Sequence, residues 1–116
     1  MILPQNHLEP LSGSRGEFIF MAKSIKDEFT DQLFEAVLKL ETVDECYRFF
    51  QDIATVAEIK ELSHRFEVAR MLRKGATYEK IVEKTGVSTA TISRVKRALE
   101  YGADGYNLVL KRMEEK

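Results

Sequence analysis

The sequence predicts an all-α fold of six helices. From Ser24 onward, apolar residues recur at spacings of three and four, the period of an amphipathic helix. Thr42, Thr55 and Ser88 stand before such segments as hydroxyl caps, and Gly75 and Gly102 follow two of them as stops. No stretch alternates polar and apolar residues for long enough to argue a strand.

Residues 1–22 contain Pro4, Pro10, Gly13 and Gly16 and show no sustained period, so they are expected to form a flexible tail. Arg15, Gly16 and Glu17 can be encoded by a purine-rich run resembling a ribosome-binding site, three codons before Met21. Translation starting at Met21, with residues 1–20 a translated leader, is one reading; a genuine short tail is the other. The remainder, residues 23–116, is expected to be one helical domain.

In the first expected helix, Ile25, Phe29, Leu33, Val37 and Leu40 form one stripe. Thr42 with Glu45 reads as a capping box for a second helix carrying Cys46, Tyr47, Phe49, Phe50 and Ile53. Thr55 with Glu58 repeats that signal. The third helix is expected to turn Ile59, Leu62, Phe66, Ala69 and Leu72 inward and to stop at Gly75. A short helix near Tyr78–Lys84, a turn at Thr85, Gly86 and Val87, and a helix from Thr89 to about Tyr101 follow. Tyr106, Val109, Leu110 and Met113 give the last helix one apolar face. Phe34 and Phe50 widen the main stripes, and six of the seven phenylalanines precede residue 51. So small a domain buries only part of its apolar surface alone. The first two helices and the last are therefore expected to form a subunit interface, the alternative being a monomer with these faces in its own core.

Among its 116 residues, 44% are hydrophobic and 32% charged, ordinary values for a soluble domain. No apolar run approaches the ~20 residues of a membrane span. Without an export signal, the expected location is cytoplasmic. Cys46 stands alone and is expected to be an inert core residue. His7 and His64 have no ligand partners at metal spacing, so no metal or cofactor is expected. No nucleophile–base spacing or phosphate-binding glycine loop argues for an enzyme. The net charge of −1 hides an asymmetry: residues 1–56 carry −5, and residues 57–101 carry +4. A basic block of this kind attracts phosphate more than the total charge suggests.

That block contains the most informative motif, Thr77 to Tyr101. Two short helices flank a tight turn in which Gly86 can adopt a left-handed backbone. Ile81, Val82, Val87, Ile92 and Val95 supply a small core between them. On a helical wheel Ile92, Val95 and Leu99 face inward. Ala90, Ser93, Arg94 and Arg97 lie opposite, with Thr89 and Lys96 on one flank and Thr91 and Ala98 on the other. This is a helix-turn-helix whose second helix suits a DNA major groove: small residues at its amino end permit close approach, and hydroxyls, Arg and methyls can read base edges. Ser88 would cap this helix and aim its remaining free amides and positive dipole end outward, where they can meet a phosphate. Lys96 and Arg97 suit backbone contacts, and Lys80 and Lys84 on the first helix suit phosphates. The expected DNA set is Lys80, Lys84, Ser88, Thr89, Ala90, Ser93, Arg94, Lys96 and Arg97.

The runs Leu62-Ser63-His64-Arg65-Phe66, Leu72-Arg73-Lys74-Gly75 and Gly86-Val87-Ser88-Thr89-Ala90-Thr91-Ile92-Ser93-Arg94 resemble the Trp repressor superfamily. Within it the chain is similar to the Trp-repressor-like YerC/YecD family, from about Ser24 to Met113. The resemblance implies a six-helix, intertwined homodimer on a pseudo-palindromic double-stranded operator, with reading helices ~34–36 Å apart. It also implies an effector pocket, in which Arg65 and Arg94 match the arginines that hold the ring of bound tryptophan. Thr91, Val95 and Ala98 share that face. Here the chain departs from the pattern. Val95 replaces a glycine, Ala98 replaces a ligand-binding serine, and Glu79 replaces a DNA-contacting arginine. Lost hydrogen bonds in a site are penalised strongly, which argues against tryptophan as the effector. Arg65 and Arg94 can equally serve in ion pairs or phosphate contacts. The functions in view are a repressor-like DNA-binding transcriptional regulator, a DNA-binding module without effector control, and a helical interaction adaptor.

Overall fold

The computed structural model describes residues 25–115. The expected tail, the start at Met21, His7, Phe18 and Phe20 lie outside them. Six helices appear among the described residues, and no strand: α1 Glu28–Val37, α2 Val43–Ile53, α3 Val56–Arg73, α4 Tyr78–Thr85, α5 Thr89–Tyr101 and α6 Gly105–Glu115. They fall in two compact units, one ending at Lys39 and one running from Leu40. No helix is long and apolar enough to cross a membrane among the described residues.

In the first unit, α1 begins at Glu28, three residues after the first member of its apolar stripe, Ile25. Asp27, in extended backbone, caps it by accepting the Thr30 amide at 2.7 Å. That amide bond holds the Asp27 carboxyl below its ordinary pKa. No residue of α1 is buried.

The second unit is built on caps that the sequence announces. Thr55 accepts the Glu58 amide and Glu58 accepts the Thr55 amide, a complete capping box for α3. At α2 only half of the expected box forms. Thr42 accepts the Glu45 amide, but the Glu45 carboxylate takes the amide of Glu41 instead, one residue upstream. Gly75 and Gly86 both have positive φ, 86° and 74°. At Gly86 the left-handed turn lets its amide close α4 on the Val82 carbonyl before the chain enters α5.

α3 packs against α4, α5 and α6, and α5 packs against α4 and α6. The core of this arrangement is Val68, Ala69, Ile81, Ile92, Val95 and Leu110, with Phe66, Leu72, Tyr78, Val87 and Leu99 around it. Arg73 clamps α6 to α3 through the Glu114 carboxylate at 2.9 Å and Asn107 at 3.0 Å, and Asn107 in turn donates to the Leu99 carbonyl. The Arg73–Glu114 bond raises the Arg73 pKa and lowers that of Glu114.

Some apolar positions depart from expectation. Leu62, expected inward, is 55% exposed, and Val68, one residue before Ala69, is fully buried. Val82 of α4 is on the rim rather than in the core. Cys46 is exposed rather than an inert core residue. It lines a shallow apolar groove with Val43, Tyr47, Phe50 and Ile59. No residue of α2 is buried.

Candidate DNA interface

The turn between α4 and α5 fixes one polar face outward. Ile81 on α4 and Ile92 and Val95 on α5 are at most 2% exposed, so rotation of either helix would expose core. Burying each such side chain stabilises by about 1.5–3 kcal/mol, which anchors the orientation. The Ser88 hydroxyl accepts the Thr91 amide at 3.1 Å and lies 3.2 Å from the Thr91 hydroxyl. It thereby starts α5 cleanly at Thr89.

Opposite the core, Thr89, Ala90, Ser93, Arg94, Lys96 and Arg97 are all exposed on α5. Ser88 and, on α4, Lys80 are exposed too. The structure thus brings the whole expected set to the surface of two adjacent helices. Their charges differ in availability. Lys80, Arg94, Lys96 and Arg97 enter no ion pair among the described residues. Lys84 does: its ammonium lies 2.9 Å from Glu67 of α3, which also holds Arg70 at 2.6 Å. The Lys84 bond foremost, with Arg70 assisting against partial burial, keeps the Glu67 carboxyl below the ordinary glutamate range. Part of the Lys84 charge is thus already engaged by Glu67, which lowers its attraction for a phosphate.

The residues matched to an effector pocket are arranged differently. Val95 is 2% exposed and belongs to the core. Thr91 and Ala98 are half-buried, and Arg94 faces outward. Arg65 pairs with Glu61 on its own helix at 2.8 Å, while its Nε–H is buried without a hydrogen-bond partner among the described residues. His64 is exposed.

Two residues outside the expected set border the face. Glu67 is one. Tyr78, the first residue of α4, is the other: its ring packs on the core and its hydroxyl stands 3.5 Å from the Ser93 hydroxyl. Neither partnership has a local sequence signal, since 17 and 15 residues separate the members.

Comparison with known proteins agrees with this architecture. The family described as Trp repressor protein matches residues 28–114. The uncharacterized protein YerC of Bacillus subtilis (strain 168) is 59% identical over 85 residues, 73% of this chain and 82% of that protein. The crystal structure of a TrpR-like protein from Eubacterium eligens ATCC 27750 superposes with a TM-score of 0.77 at 54% identity, covering 79% of this chain and 95% of that one. A second solved structure, of a Staphylococcus aureus protein, gives 0.77 at 47% identity, covering 82% and 95%. The family match over residues 28–114 and identities of this size place the chain in the Trp repressor family, on its YerC-like branch.

Proposed function

We propose that the protein is a sequence-specific double-stranded DNA-binding transcriptional regulator, repressor-like, that reads an operator as a homodimer in the cytoplasm. The observation that carries this reading is the outer face of α5: a capped amino end, small hydroxyl and methyl side chains, then exposed Arg94, Lys96 and Arg97. Small residues permit entry into a major groove, and the cations take phosphates and base edges. Mobility shift on fragments selected from genomic DNA tests it. Arg94→Ala and Arg97→Ala should each weaken binding about tenfold or more; unchanged binding by both variants overturns the placement of α5.

Exposed apolar side chains support the homodimer. Phe29 and Leu38 in the first unit are 79% and 82% exposed, and Val43 and Tyr47 in the second are 73% and 63% exposed. We read these residues of each unit, with Val109 and Met113 of α6, as apolar side chains that a second copy covers.

A second reading concerns control. Val95 lies within the core and Arg65 is ion-paired, which favours DNA binding without tryptophan as effector. Operator affinity should be the same with and without added tryptophan. A tryptophan-dependent rise would overturn that second reading and leave the first intact.

A further inference from the structure

Tyr78 and Ser93 place two hydroxyls, one from each helix of the motif, 3.5 Å apart. That is long for a bond between hydroxyls, which prefer about 2.7–2.8 Å. The separation does suit two donors converging on one oxygen between them. Two elements hold the pair in place. The Tyr78 ring is wedged on the core that Ile81 and Ile92 share, and Ser93 directly follows buried Ile92 on α5. The Tyr78 hydroxyl is therefore a rigidly mounted polar tip at the seam between the helices, beside an exposed serine.

Where a helix-turn-helix docks, its second helix enters the groove and its first crosses the backbone strand. The seam between them faces that strand. We infer that the Tyr78 and Ser93 hydroxyls together take one phosphate oxygen of the duplex backbone, making Tyr78 a DNA-binding residue that sets how deeply α5 seats. The inference rests on the DNA-binding reading above and adds to it a neutral contact. Hydroxyls carry no charge, so the contact contributes affinity without releasing a counterion. It also contributes equally on every sequence, because each phosphate looks the same.

Tyr78→Phe removes only the hydroxyl and leaves the ring in the core; Ser93→Ala changes an exposed position. Fluorescence anisotropy would measure binding to a fragment selected by the wild-type protein and to single-base variants of it, across a salt series. Tyr78→Phe should lose about tenfold in affinity, the scale of one hydrogen bond to a charged acceptor. The loss should be the same on every variant fragment, with the salt slope and the thermal midpoint unchanged. Because both hydroxyls serve one oxygen, Tyr78→Phe with Ser93→Ala should lose less than the product of the single losses. Undiminished binding by Tyr78→Phe overturns the inference, as does a loss confined to one base position, a changed salt slope or multiplicative losses. Arg94→Ala in the same assay separates the two proposals: if it loses binding while Tyr78→Phe does not, DNA binding stands and the paired-hydroxyl contact falls. A wild-type protein that selects no fragment removes both.

Discussion

Single residues do distinct work in the helix-turn-helix. Gly86 has a φ of 74°, and a Cβ there would meet nothing within 4 Å. Its requirement is thus purely conformational. Gly86→Ala should cost about 1–2 kcal/mol, the usual left-handed penalty for an L residue; urea unfolding would measure it. Gly86→Asn should cost less. Ser88 is a second such point. Replacing its hydroxyl frees the Thr91 amide, and Ser88→Ala should cost about 1 kcal/mol of stability. The exposed cations act at a different level. Lys96→Ala should leave stability unchanged and reduce the salt dependence of DNA binding by about one unit of slope. These residues were legible in the sequence because their signals are local: a glycine between two periodic segments, a serine before one of them, and basic residues on the outer side of a wheel. Tyr78 and Glu67 were not legible, because their meaning comes from partners far along the chain.

At the scale of elements, α3 is the platform on which the reading pair is mounted. Val68 and Ala69 form its buried patch, and Glu67 beside them ties α4 through Lys84. The Glu67 carboxyl titrates below its ordinary value, so its contribution is full above the ordinary glutamate value of 4.5. It is lost as pH falls through the lower folded value. Glu67→Gln should therefore be less stable than the wild type near neutrality and converge with it on acidification, as thermal melts across pH would show. The pair is partly solvated, so the difference should be modest. Helix identity and helix ends followed from the sequence because capping is decided within four residues. The inward faces followed less well. Apolar spacing placed Leu62 and Val82 inside and passed over Val68, since spacing gives a direction but not which neighbour fills it. The amino half of α3 turns Leu62 to solvent, and only the carboxy half meets α4, α5 and α6 in the core.

For the whole molecule, the distribution of apolar surface is the main fact. Among the described residues, all six buried hydrophobic side chains lie between Val68 and Leu110, whereas α1 and α2 bury none. The phenylalanine-rich first half was visible in the sequence, but whether it closed on itself was not. Each large side chain covered by a partner contributes about 1.5–3 kcal/mol. A dozen or so over two protomers offset the association cost of about 4–15 kcal/mol. Tyr47→Asp should therefore shift the protein towards monomer in sedimentation experiments, and should lower operator affinity with it, since one reading helix alone contacts half a site. The central claim is that two copies of α5 enter a duplex from its major-groove side. Methylation protection of guanine N7 on a selected fragment tests this most directly. The account predicts two protected major-groove patches centred about 10–10.5 base pairs apart. A single patch, or bound DNA whose major groove stays fully reactive, would contradict it.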